Sequence, residues 1–213
     1  MRDFPIFETE YGVASLILRE VPYRQEAYIF VQATEEPRKL LEECISFSRV
    51  VGAERVYATG HEFLENYPLH TIIYEMRGDF AVDESMVEHL WPVTEETVGR
   101  WRELMNERMA AVDHARTLDK NSEREILSSG GAYFVHHDGE LLGGGWVAGE
   151  EIRLIVAAQP GAGRRVMHTL RSLIPGDTVK VEVVSTNEQA IRFYEKLGFI
   201  RTAEVYRWYR VHP

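Results

Sequence analysis

Val179, Val181 and Val183 alternate with Lys180 and Glu182, a period of two that predicts a strand with one buried face. Asn187 then opens a short helix on which Ile191, Tyr194 and Leu197 share one stripe, and Gly198 supplies a left-handed stop. Just before this unit, residues 151–156 read as an apolar strand and Ala157-Ala158-Gln159-Pro160-Gly161-Ala162-Gly163 as a turn. Residues 164–174 read as a helix with Val166, Met167, Leu170, Leu173 and Ile174 on its apolar face, ended by Pro175-Gly176. Further upstream, Thr94 is placed to cap a helix bearing Val98, Trp101, Met105 and Met109, and Ser122 with Glu125 forms an S-x-x-E capping box for a second. Strands at 132–136 and 140–147 flank Asp138-Gly139, a hairpin turn signal, and Gly149-Glu150 turns the chain into the strand at 151. Residues 201–211 supply a last strand.

Glycines at a strand-to-helix turn let a backbone approach a phosphate closely, and the first N–H groups of the helix point at it. Arg164 and Arg165 stand in that first turn, where the helix dipole disfavours cations by roughly 0.3–1 kcal/mol each, so an anion is expected there to offset them. With Arg153 and Arg171 they make a basic cluster in a chain of formal net charge −10. The turn therefore reads as a pyrophosphate cradle.

The run from Asn187 to Phe199, N-x-x-A-x-x-F-Y-E-K-L-G-F, resembles the C-terminal motif of the GCN5-related N-acetyltransferases, the GNAT superfamily. The resemblance covers about residues 83–213 and is most specific over 151–199. It implies an α/β fold with a mixed, mostly antiparallel sheet flanked by helices, acetyl-CoA as cofactor, and direct attack of a primary amine on the thioester. It assigns Tyr194 as the acid for the departing thiolate and Glu151 as a base, with Glu182 its competitor. Cofactor contacts would come from Val156, Ala157, Ala158, Gln159, Gly161, Ala162, Gly163, Arg164, Arg165, Asn187 and Phe193, with N–H groups near Val156 and Ala157 facing the thioester carbonyl. The family loop usually reads Q/R-x-x-G-x-G/A. Here Gln159 is one residue too close to the first glycine, and aligning the glycines puts Ala158 at the Gln/Arg position.

Sliding the chain against itself by 125 residues lays positions 26–60 over 151–185 without a gap, and strand, loop, helix and strand recur in order. Glu26, Val31, Ala33 and Val56 meet Glu151, Val156, Ala158 and Val181. This reads as a degenerate half-copy, with an N-terminal α/β region at 1–82 and an acetyltransferase domain at 83–213. Its loop, Thr34-Glu35-Glu36-Pro37, has no glycine and puts two carboxylates at a helix N-terminus, where they satisfy the dipole and repel phosphate. One active site per chain is expected.

At 213 residues and 45% hydrophobic content the chain can bury a substantial core. Its one cysteine, Cys44, excludes an intrachain disulfide and is expected to pack in a helix. No signal pattern or membrane-length apolar run stands out, so a cytoplasmic protein is expected. Net acidity argues against nucleic acid as a partner. No metal site is expected: His136 and His137 are adjacent before a turn and point to opposite faces. Gly143-Gly144-Gly145 lies inside a strand, marking a bulge or a close approach by a ligand. Two classes remain: an N-acetyltransferase acting on a small-molecule or peptide amine, with a homodimer left open, and a non-catalytic acyl-CoA sensor.

Overall fold

The computed structural model describes residues 5–212. They form two compact units, one holding the described residues up to Ile73 and those from Glu204 onward, the other Tyr74–Ala203. The chain passes between them inside two strands, β5 (Leu69–Asp79) and β11 (Ile200–His212), rather than near 82/83.

In the first unit, β1 (Ile6–Thr9) and β2 (Gly12–Ile17) form a hairpin, and a short helix α1 (Val21–Arg24) leads into β3 (Glu26–Thr34). Helix α2 (Pro37–Val50) then crosses to β4 (Arg55–Thr59), which runs parallel to β3. The strand order is β1-β2-β3-β4-β11. Leu40, Leu41 and Cys44 on α2 are buried against Ile29, Val31, Val56 and Ala58 because both strands turn one apolar face to the helix. Burial pushes the Cys44 thiol up to about 12, so it carries no thiolate at neutral pH.

The second unit runs β6 (His89–Pro92), α3 (Val98–Met109), α4 (Lys120–Ser129), β7 (Ala132–His137), β8 (Glu140–Ala148), β9 (Glu151–Ala157), α5 (Gly163–Arg171), β10 (Thr178–Val184) and α6 (Glu188–Lys196). Its strands are ordered β5-β10-β9-β8-β7-β6. Asp138 at φ 47° and Gly139 at φ 83° make the expected two-residue turn of the β7–β8 hairpin. Val179, Val181 and Val183 face a core built with Val166, Met167 and Leu170 of α5, Ile191 and Tyr194 of α6, and Leu197 just past its end. A separate core on Trp101, Leu104 and Met105 of α3 takes Ile126, Trp146 and Val156.

Three local expectations shift. The helix after the glycine loop ends at Arg171 rather than 174, because the Arg171 guanidinium donates to the carbonyls of Ile174, Gly176 and Asp177 and folds the chain back. The capping box of α4 lies three residues earlier than Ser122–Glu125: Asp119 accepts from the Ser122 N–H at 2.8 Å, Ser122 Oγ accepts from the Asp119 N–H at 3.2 Å, and Glu125 pairs with Arg116 instead. Helix α3 begins at Val98, with Thr97 rather than Thr94 at its cap.

The three glycines of β8 serve the chain's own helices. A Cβ on Gly143 would lie 2.9 Å from Val166 Cγ2 and one on Gly145 2.3 Å from Leu170 Cδ1, both on α5, whereas one on Gly144 would lie 3.0 Å from Met105 Cε on α3. Alternate glycines thus admit a helix on each face of one strand.

The half-copy is present as structure. Glu26 pairs with Arg55 and Glu151 with Lys180 across the two parallel strand pairs, and 151 − 26 and 180 − 55 both equal 125. A 3-10 turn at Glu62–Asn66 stands where the later half has α6. The strand beside β4 is β11, and the strand beside β10 is β5. Each repeat is therefore flanked by the strand that ends the other half of the sequence.

Gly143→Ala is expected to lower stability by about 1–3 kcal/mol in urea unfolding, since its Cβ would sit 2.2 Å from the Val156 carbonyl oxygen, a backbone atom with no room to yield. Gly99→Ala on α3, with nothing nearer than Glu123 Oε1 at 4.0 Å, is expected to raise stability by up to about 1 kcal/mol. Equal midpoints for the two variants would show that β8 does not need its bare backbone.

Candidate functional site: an open strand fork

Strands β9 and β10 are bridged at Glu151 and Lys180, where the Lys180 N–H donates to Glu150 O at 2.9 Å, and no further rung joins them among the described residues. On its other edge β9 keeps a full ladder with β8, from Ala148↔Glu151 to Gly143↔Ala157. The Ala158 N–H donates to Leu142 O at 2.8 Å, and Val156 sits opposite Gly144. Backbone groups alternate along a strand, so the N–H groups of Ile155 and Ala157 turn to the open side and that of Val156 to β8. The earlier repeat differs: β3 and β4 share five rungs, from Glu26↔Arg55 to Phe30↔Thr59, and have no fork.

The loop beyond the open end of β9 is stripped of side chains where it turns. Gly161 has φ 83° and nothing within 4 Å of a Cβ position. The Val166 N–H donates to Ala162 O, which leaves the N–H groups of Gly163, Arg164 and Arg165 without acceptors among the described residues. The Phe193 ring lies 3.7 Å from the Cβ position of Gly163, so α6 closes against the start of α5. Three free N–H groups at a helix N-terminus, an unobstructed glycine turn and two strand N–H groups facing a gap suit a diphosphate joined to a carbonyl-bearing chain.

The cations divide sharply. Arg165 Nε lies 3.1 Å from Glu88 Oε1, a carboxylate with a 6% exposed side chain whose other oxygen is 2.7 Å from His137 Nδ1. Arg171 is consumed at the far end of α5, and Arg153 lies over the Trp146 ring beside Glu151. Arg164 is exposed and has no ion pair among the described residues. Gln159 Nε2 donates to Leu141 O at 3.0 Å and so braces the loop against β8. Arg108, at the end of α3, donates to Ala158 O at 2.6 Å. Residues 80–88 strap α5 in place: the Asp83 N–H donates to His168 Nδ1 at 3.0 Å, the Glu88 N–H to Thr169 Oγ1 at 2.9 Å, and burial holds the His168 ring below its ordinary pKa. Sequence reasoning found neither Arg108 nor Glu88, whose partners lie 50 and 77 positions away.

Tyr194 is 7% exposed, its ring 5.5 Å from both Phe193 and Phe199. Asn187 caps α6, its Oδ1 accepting from the Ala190 N–H at 3.1 Å. Glu151 stands at the closed end of the fork, about 16 Å of strand from Val156. Its carboxylate lies 3.7 Å from Lys180 Nζ, which is equally close to Glu182 and 3.6 Å from Glu75. The structure thus gathers Ala157, Ala158, the glycine loop, Arg164 and Phe193 at the open end, and does not bring Glu151 to them. The paired histidines are engaged separately: His136 stacks on His89, and His137 meets Glu88.

The architecture is the GNAT fold, a mixed sheet flanked by helices and opened between its parallel strands. The family model for FR47-like protein, which is GNAT-related, matches residues 158–209 and overlaps the stretch where the sequence resemblance is most specific. Among solved structures, a candidate acetyltransferase from Pyrococcus horikoshii is 12% identical, with 95% of this chain and 70% of that chain covered at a TM-score of 0.60. A GCN5-related N-acetyltransferase from Sphaerobacter thermophilus is 13% identical over 94% of this chain and 77% of that one, TM-score 0.56. A tandem GNAT protein from the clavulanic acid biosynthesis pathway is 14% identical over 95% and 80%, TM-score 0.55. At these identities the likeness is one of fold. No curated protein matches the sequence significantly. Among the described residues no helix is long and apolar enough to cross a membrane.

Burial pushes the Tyr194 phenol from 10.0 up to about 12. The folded form therefore holds its proton longer than the unfolded one, and the associated stability is present below about pH 10 and lost as pH rises toward 12. Wild type is expected to lose more unfolding free energy than Tyr194→Phe between pH 9.5 and roughly pH 11.5. Parallel losses would mean that the hydroxyl reaches solvent freely.

Proposed function

We propose that this protein is an acetyl-CoA-dependent N-acetyltransferase acting on a primary amine of a small molecule or an amino-acid side chain. The observation that supports it most is the fork itself: a parallel pair that stops pairing beside a glycine turn and three free helix N–H groups. Bound there, acetyl-CoA supplies an electrophilic thioester carbonyl. The Ile155 and Ala157 N–H groups face the gap in which that carbonyl would lie, and donors fixed there stabilise charge as it builds on oxygen. The N–H groups of Gly163, Arg164 and Arg165 receive the diphosphate, with the Arg164 guanidinium beside them. Tyr194 stays protonated at neutral pH and is the group for the departing sulfur. For the amine proton, the arrangement favours Glu182 over Glu151, because Glu182 lies two residues beyond the last rung, on the open side.

A second reading has support of its own. Tyr194 is packed among aromatic rings and Glu151 is remote from the loop, as suits a protein that binds acyl-CoA without turning it over. The test begins with thermal unfolding. CoA is expected to raise the midpoint well above the shift given by NAD or ATP at equal concentration, since binding confined to the folded state stabilises by mass action. Equal shifts would identify a generic anion site. Thiol release from acetyl-CoA is then followed over a panel of amines. Amine-dependent release supports the enzyme, and binding without turnover the sensor. Tyr194→Phe is expected to lower single-turnover rates by about 10²–10⁴-fold with acetyl-CoA affinity nearly unchanged. Full activity in that variant would move the acid elsewhere.

A further inference from the structure

The glycine loop lacks a side-chain donor at the position its own sequence would supply, since Ala158 stands there and Gln159 is spent on Leu141 O. Of the arginines near it, Arg165 is neutralised by Glu88, Arg171 is bound to carbonyls at the other end of α5, and Arg153 belongs to the closed end of the fork. Arg108 remains. It comes from the last turn of α3, its Nη2 donates to the Ala158 carbonyl at 2.6 Å, and no carboxylate pairs with it among the described residues.

We infer that Arg108 is a diphosphate-binding residue of this site, reaching the loop from α3 in place of the side chain that the loop does not carry. The inference rests on the CoA-binding part of the reading above. A guanidinium has five N–H donors in a planar fork, and the Ala158 carbonyl engages one nitrogen, leaving the others for phosphate oxygens. The same bond ties up a carbonyl oxygen whose partial negative charge would otherwise stand at the mouth of an anion site. It also places the charge without the entropy cost of ordering a loose arginine on binding. Arg108 and Arg164 are both exposed, but no side-chain hydrogen bond among the described residues braces Arg164.

Calorimetric titration with CoA, and with S-acetylpantetheine, which has the thioester but no phosphate, tests this on wild type, Arg108→Gln and Arg108→Lys. Arg108→Gln is expected to weaken CoA binding about 10–100-fold, the range for a hydrogen bond to a charged group, and to leave S-acetylpantetheine within twofold of wild type. Its CoA affinity should also fall less steeply with salt, because one charge contact is gone. Arg108→Lys is expected to recover part of the loss by charge alone. Equal weakening toward both ligands would make Arg108 a brace for the loop and overturn the proposal, as would CoA affinity unchanged in Arg108→Gln. A wild type that takes no CoA overturns this inference and the reading of the fork together, whereas wild type and Arg108→Gln binding alike overturns this one alone.

Discussion

A parallel strand pair that ceases to pair is the constraint on which the C-terminal unit depends. Every N–H and C=O turned into the gap between β9 and β10 is a backbone group deprived of its ladder partner, and such groups are costly unless water or a ligand meets them. A strand paired along one edge must be held by other means. The β8 ladder holds the edge of β9, and α5 and α3 press on its two faces. The helices reach that close because β8 offers three consecutive glycines, alternately facing α5 and α3. Seen this way, the glycines do not mark a ligand approach. They supply the packing that lets a neighbouring strand forgo hydrogen bonds.

The N-terminal repeat shows what happens without that arrangement. It keeps the register, with Glu26 opposite Arg55 as Glu151 is opposite Lys180, yet its pair runs closed to Phe30 and Thr59. Its loop is rigid in a different way: Thr34 Oγ1 donates to Tyr11 O and accepts from the Glu36 N–H. Two acidic residues stand before α2, where free helix N–H groups favour negative charge. One repeat thus pairs its two parallel strands along five rungs, and the other leaves the facing strand groups unpaired beyond the first rung. A common register therefore does not imply a common function, and the difference lies in which backbone groups are spent.

Much of this was legible from periodicity and local chemistry. The Asn187 cap, the α6 stripe, the Asp138-Gly139 turn and the strand–helix–strand repeat all depend on neighbours within a few positions, and each stands where the pattern put it. What could not be read involves partners far apart in sequence. Two adjacent arginines at a helix start look alike in sequence, but Glu88 lies 77 positions before Arg165 and neutralises it alone. Arg108 likewise meets its carbonyl partner, Ala158, 50 positions further on. The α4 cap falls on Asp119 and Ser122 rather than on Ser122 and Glu125 because Asp119 brings a carboxylate, the stronger acceptor.

Burial of Tyr194 sets a condition on the proposed chemistry. A phenol at about 12 is a weak acid toward an ordinary thiolate, whose conjugate thiol has a pKa near 8.5, and a gap of about 3.5 units corresponds to roughly 5 kcal/mol against full transfer. The gap narrows when the sulfur is desolvated too, because removal from water raises the thiol pKa for the same reason that it raises that of the phenol. Proton transfer from Tyr194 therefore requires the leaving sulfur to sit in the apolar surroundings formed with Phe193 and Phe199, away from solvent. If the sulfur stays wet, the hydroxyl can still donate a hydrogen bond to the developing charge, but water must provide the proton. In the proposed reaction the aromatic packing around α6 would then be more than structural support for a motif, since it would decide which of these two acids protonates the sulfur.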